Sequence, residues 1–203
     1  MKDYSKAVSK EEIKKAIKSL QSHGIGAELF ETSEAATQKI VHIVPKDAEV
    51  FTMSSATLDE SGLADIFNSD AYSSVRNNLM TLDREKDSKK MRKLGTAPDY
   101  AIGSVHAITQ DGKLVIVSNT GSQLPAYAYG AEKVIFVVGA QKIVKDLPEA
   151  MERIEKYTLP LESKRVQKAY GMPESAIRKW LIIDSEIDPQ RIQVLIINQN
   201  IGY

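Results

Sequence analysis

The stretch Asp99–Asp146, DYAIGSVHAITQDGKLVIVSNTGSQLPAYAYGAEKVIFVVGAQKIVKD, decides how this chain is read. It holds the short apolar runs Tyr100–Ile102, Leu114–Val117 and Val134–Val138, rich in Val and Ile and bounded by Gly, Asp or Asn. Runs that are continuous rather than alternating fit strands buried on both faces of a parallel sheet. Between the second and third lies SNTGSQLPAYAYG. There Asn119, Thr120, Gly121 and Ser122 are turn residues, and Gln123–Tyr129 predicts a short helix. A strand, a small polar loop and a helix start leave backbone N–H groups free at the carboxyl edge of a sheet, where open α/β sheets bind ligands.

On the N-terminal side, Ser9-Lys10-Glu11-Glu12 is a capping box. It opens a helix with Ile13, Ala16, Ile17 and Leu20 on one face, stopped at Gly24. Ile25–Glu31 reads as a strand, Ser33 to about Val44 as a helix, and Glu49–Met53 as the next strand. Ser54-Ser55-Ala56-Thr57 follows at once, ahead of the helical pattern Leu58, Leu63, Ile66, Phe67. Tyr72–Leu94 predicts one long helix with a break near Asn77-Asn78, and its charges, Arg84, Lys86, Lys89, Lys90, Arg92 and Lys93 among Asp83, Glu85 and Asp87, read either as an anion or partner patch or as a solvated face laced with local pairs. On the C-terminal side of Asp99, Asp111-Gly112 is a hairpin turn. Asp146 and Glu149 cap a helix bearing Leu147, Ala150, Met151, Ile154 and Tyr157, which Pro160 is expected to end. A further helical piece reaches about Tyr170. Trp180–Asp184 and Ile192–Ile197 then predict a C-terminal strand pair, read as an antiparallel edge ribbon.

The 203 residues suit one domain spanning 1–203 with a full core. With 42 % hydrophobic and 27 % charged residues, the composition is that of an ordinary soluble protein. The 27 basic residues balance 27 acidic ones, so charge gives no reason to expect nucleic acid or an anionic membrane as partner. No apolar run reaches the roughly 18 residues of a membrane span, and MKDYSKAVSKEE lacks the apolar centre of a signal peptide. The expected location is cytoplasmic. The chain has no cysteine, which excludes disulfides, thiolate nucleophiles and Cys-ligated iron–sulfur clusters. His23, His42 and His106 are scattered without zinc-site spacing, so no metal site is expected.

The segment SVHAITQDGKLVIVSNTGSQLPAYAYGAEKVIFVVGAQKIVKDLPEAMERI, continuing through LPLESKRV and back to SSATLDESGL, resembles the LUD-domain proteins of bacterial lactate utilisation. The resemblance implies a fold of the ribose-phosphate isomerase and CoA-transferase type. It also implies a role supporting lactate oxidation. Together with the residue pattern, the fold class is α/β, three-layer, with a mixed, mostly parallel sheet between helices and a C-terminal strand pair. The implied partners are a small anionic ligand, either a metabolite or a nucleotide-like cofactor that the sequence does not name, and an iron–sulfur protein that would carry the redox centre this chain lacks. Self-association into a homo-oligomer stays open. The alternatives are a stand-alone isomerase or acyl-transferase-like enzyme and a non-catalytic scaffold for an iron–sulfur subunit.

Sugar-phosphate isomerases of the implied fold hold phosphate on the loop matching Ser54–Thr57. Ser54, Ser55 and Thr57 therefore either meet an anion or merely cap a helix. Many LUD sequences carry an acid just before the Thr-Gly pair, where this chain has Ser118 and Asn119. Neither can act as a carboxylate base. The expected site therefore recognises an anion through neutral donors: Asn119, Thr120, Gly121, Ser122 and, reading a polar edge, Gln123. Each has the rival reading of a plain turn or a solvated side chain. His106 is either a hydrogen-bonding or acid–base group at the site, or an imidazole bonded to backbone. Lys142 can meet a phosphate or carboxylate, or simply face water. Gly103, Gly121 and Gly139 are expected to permit sharp chain reversals.

Overall fold

The computed structural model describes residues 2–171 and 173–203. The chain opens with α1 (Lys10–Ser22), β1 (Gly26–Phe30), α2 (Ser33–Ile43), β2 (Glu49–Thr52), α3 (Ala56–Glu60) and α4 (Leu63–Phe67). The expected capping box starts α1: Ser9 Oγ accepts from the Glu12 N–H, and the Glu12 carboxylate accepts from the Ser9 N–H. Then come β3 (Ser73–Ser74), α5 (Val75–Met80), α6 (Ser88–Leu94), β4 (Tyr100–Gly103), β5 (Ala107–Thr109) and β6 (Leu114–Ser118). The last elements are β7 (Lys133–Gly139), β8 (Ile143–Val144), α7 (Leu147–Arg153), α8 (Leu159–Tyr170), β9 (Lys179–Ile183) and β10 (Ile192–Ile197).

Among the described residues, the main sheet has six strands in the order β1-β10-β7-β4-β2-β3, and every neighbouring pair is parallel. Its faces follow the period of two along β7. Val134, Phe136 and Val138 pack on one side with α1, while Ile135 and Val137 pack on the other with α2, α3 and α4. A second sheet of four strands, β8-β5-β6-β9, lies against the α1 side. Its Ile108, Leu114, Ile116 and Ile143 face the main sheet. Its Ala107, Val115, Val117 and Val144 face away, onto Ala150 of α7 and the adjoining Ile154. Each fully buried Val, Ile or Phe contributes about 1.5–3 kcal/mol, so both sheets are fixed from both sides. Among the described residues no helix is long and apolar enough to cross a membrane.

Several local expectations change. The expected C-terminal ribbon does not form. The two strands exist, but β9 pairs antiparallel with β6, whereas β10 lies inside the main sheet between β1 and β7. IQVLII was the signature of a doubly buried strand, since an edge strand would alternate. Likewise Leu114–Val117 belongs to the second, antiparallel pairing and not to the parallel sheet. Tyr72–Leu94 is not one helix. Ser73–Ser74 pairs with β2, Ser74 Oγ caps α5 at the Asn77 N–H, and Asp83 and Asp87 take backbone N–H groups between α5 and α6. Such side-chain bonds compete with the helical ladder. Nor does Pro160 end a helix. Between α7 and α8 the coil widens into a π-helical turn, Ile154–Thr158, and Pro160 falls in the first turn of α8, where a missing N–H is tolerated. Of the three glycines expected at reversals, only Gly121 has a positive φ, +86°. Gly103 and Gly139 are needed for space instead. A Cβ at Gly103 would stand 1.8 Å from Tyr127 Oη, and one at Gly139 2.2 Å from Gln141 Oε1.

Candidate functional site

The parallel strands deliver their carboxyl ends to one cavity of about 780 Å³. β2 runs into Ser54–Thr57, β4 into Ser104–His106 and β7 into Lys142, while the chain beyond β10 brings Tyr203. From the second sheet, β6 runs into Ser118–Gln123. The two loops were expected on one edge because both follow strands taken as parallel. Their strands lie in different sheets, yet the loops border the same cavity. Of the residues singled out in the sequence, Ser54, Ser55, Thr57, His106, Asn119, Thr120, Ser122, Gln123 and Lys142 line it, and Gly121 does not.

Lys142 does not face water. It is 2 % exposed, and its Nζ lies 2.8 Å from Thr57 Oγ1 and 3.1 Å from Ser104 Oγ. Thus Thr57 holds the lysine amine rather than capping a helix, and Ser55, which precedes α3, makes no side-chain cap bond either. No carboxylate pairs with Lys142 among the described residues. Burial lowers its pKa to about 7, Arg153 adds to the effect, and Glu60 opposes it.

His106 has the backbone bond of its second reading. Its Nδ1 accepts from the Val117 N–H at 3.2 Å, which leaves the ring proton of the neutral form on Nε2, and the residue also borders the cavity. Burial, then the Lys142 and Arg153 charges, lower its pKa to about 3, so it is neutral at ordinary pH. Arg153 lies beneath it, fully buried. Its Nη1 donates to His106 O at 2.7 Å and Thr158 Oγ1 at 2.8 Å, and its guanidinium stands 5.2 Å from the Tyr157 ring. Among the described residues Nε and Nη2 of Arg153 have no hydrogen-bond partner, and burial lowers its pKa to about 10.

The 118–123 loop spends much of its polarity on itself. The Gly121 N–H donates to Ser118 Oγ at 2.8 Å, and the Ser122 N–H to Thr120 Oγ1 at 3.3 Å. Ser118 Oγ also bonds Gln123 Oε1 at 2.9 Å, and Asn119 Oδ1 accepts from Arg178 Nε at 2.9 Å. The Gly121 and Ser122 N–H groups and the Thr120 hydroxyl are therefore engaged within the loop, while Asn119 and Gln123 are held through their amide oxygens. Most of the cavity's charge comes from Arg76 and Arg165, which the sequence reading did not single out, and from Arg84, which it named only within a charged helix face; with Lys142 they line the cavity against the carboxylate of Glu162. Glu162 accepts from Arg165 Nε and Nη2 at 2.7 and 2.8 Å and from Tyr203 Oη at 2.6 Å. Arg76 was hidden inside the misread long helix, and Arg84 stood among charges read as a solvated face. Glu162 and Arg165 lay in LPLESKRV, where the family resemblance was a signal for them. Among the described residues no three His, Asp or Glu side chains are grouped to hold a metal ion.

These features define an α/β protein with a basic cavity across the carboxyl edge of a parallel sheet. The chain belongs to the LUD-domain family, whose model matches residues 13–197. It is also similar to the crystal structure of a DUF162 family protein from Deinococcus radiodurans, with a TM-score of 0.59 and 13 % identity. That match covers 94 % of this chain and 99 % of the other, and at this identity it speaks for the fold. No curated protein matches the chain.

Proposed function

We propose that the cavity binds a small anion, a metabolite or nucleotide-like cofactor, and that the protein supports lactate oxidation as a LUD-domain subunit. The observation that carries this reading is Lys142 at the cavity wall, its Nζ buried against Thr57 Oγ1 and Ser104 Oγ with no carboxylate hydrogen-bonded to it among the described residues, and with the charge of Arg153 near enough to act on it. The Lys142 ammonium and the Arg153 guanidinium repel one another, and a bound anion beside Nζ relieves both that repulsion and the cost of burying the charge. With no cysteine to ligate a cluster, electrons would pass to an iron–sulfur protein partner. Calorimetric titration with sulfate, lactate and adenine nucleotides tests the reading. Saturable binding that Lys142→Met abolishes supports it, and absence of binding by every one of these anions refutes it.

Glu162 favours a second reading, a stand-alone isomerase or acyl-transferase-like enzyme, because it puts a carboxylate in the cavity. Both of its oxygens already accept hydrogen bonds, from Arg165 and Tyr203, which fits an anchor for Arg165 better than a free base.

A further inference from the structure

We propose that Lys142 is a nucleophilic amine that forms an imine with a small carboxylate-bearing carbonyl compound, a 2-oxo acid, held in this cavity. The inference rests on the anion-binding reading and adds to it the class of ligand and a covalent step. Three features of the site point this way. The amine donates to two hydroxyls, Thr57 Oγ1 and Ser104 Oγ, and among the described residues to no carboxylate, so no opposite charge in contact holds it as ammonium. A neutral amine that donates both of its N–H groups to these oxygens aims its lone pair along the remaining tetrahedral direction. Lys142 also borders a cavity whose other walls carry the guanidinium groups of Arg76, which donates Nε and Nη2 to Thr52 O, and of Arg165, which holds Glu162, so the cavity carries fixed positive charge that suits a carboxylate. A compound with both a carboxylate and a carbonyl matches both halves.

The step balances without an oxidant or reductant. The nitrogen lone pair forms the C–N bond as the carbonyl π pair moves to oxygen. The two amine hydrogens pass to that oxygen, which leaves as water. The net change is amine plus carbonyl to imine plus water. Thr57 and Ser104, already in contact with Nζ, are placed to relay those protons. A purely structural role explains the lysine poorly, because an apolar side chain of similar length would avoid the burial cost that lowers its pKa to about 7.

Glyoxylate, with acetaldehyde as its uncharged counterpart, is the probe. Wild-type protein is incubated with each in the presence of cyanoborohydride, which traps an imine as a stable secondary amine, and the adducts are mapped by peptide mass spectrometry. Glyoxylate should label Lys142 at least about tenfold faster than the exposed Lys14 and Lys18 at neutral pH, because about half of an amine with a pKa near 7 is unprotonated there. Labelling of Lys142 should level off above pH about 7. Glyoxylate should outpace acetaldehyde at Lys142 alone. Labelling spread over surface lysines with no preference for Lys142 overturns the proposal. If sulfate still binds in calorimetry, the anion reading survives that result. If sulfate does not bind either, both fall.

Discussion

Raising the pH from 6 to 9 should weaken the binding of a simple anion about a hundredfold, and Lys142 should account for the change. In the free protein burial lowers the Lys142 pKa to about 7, with Arg153 at the end of α7 adding to the effect and Glu60 at the end of α3 opposing it. An anion beside Nζ supplies the opposite charge that Lys142 lacks and moves the pKa back toward an ordinary lysine value, about 10.4. Between those values the complex holds a proton that the free protein has lost. Each pH unit then costs about a factor of ten in affinity, ~1.4 kcal/mol, and the two units above 7 give about a hundredfold. Below pH about 7 the lysine is charged in both states and affinity levels off. His106, with its pKa lowered to about 3, is neutral throughout this range, and Arg153, at about 10, stays charged. Sulfate is the suitable ligand because its own charge is constant over the range. Titrations in buffers of different ionisation enthalpy should show uptake of about one proton near pH 9. Lys142→Met should bind weakly at every pH and lose the slope. It should also be more stable than wild type near pH 6, where the native state bears the full cost of burying a charged lysine, at most roughly 5 kcal/mol. That cost fades as pH rises from about 7 toward the unfolded value, because the unfolded chain then holds the extra proton. Affinity independent of pH, or the same slope in Lys142→Met, would refute the reasoning.

Stability in acid should depend on His106. Its native pKa is lowered from 6.5 to about 3, so the unfolded state binds the extra proton between those values, and stability falls with pH through that window by up to ~1.4 kcal/mol per unit. Urea melts of His106→Asn should show a shallower acid slope than wild type, and an identical slope would contradict the burial of a neutral ring. Gly103→Ala should destabilise by about 1–3 kcal/mol or more, since its Cβ would meet Tyr127 Oη at 1.8 Å while that ring packs edge-on to Phe136 at 4.7 Å. An unchanged melting temperature would show that Tyr127 can yield. Asn119→Asp should lower sulfate affinity by less than about tenfold, because Arg178, already 2.9 Å from Asn119 Oδ1, partly neutralises the new charge. A loss as large as that in Lys142→Met would place the anion at the loop instead.

Local pattern carried much of this protein. The capping box at Ser9, the apolar face of α1, the hairpin turn at Asp111-Gly112 and the doubly apolar runs of β4 and β7 are properties of short segments, and they are legible because burial and capping act over a few residues. The polar loops after β2 and β6 and the residues His106 and Lys142 could likewise be picked out as candidates, and they do border one cavity. Tertiary structure decided what each of them is. Whether IQVLII is an edge ribbon or the strand between β1 and β7 depends on partners far away in the chain. Whether Lys142 faces water or sits against Thr57 and Ser104 depends on where β2 and β4 end. The cavity's charge could not be read locally either. Arg76 and Arg165 stand 89 residues apart, and only the closing of α5 and α8 over the sheet's carboxyl edge brings them to the same space. Sequence periodicity reports which face of an element is buried, but it does not report what that face is buried against, and the chemistry of this site lies in that second fact.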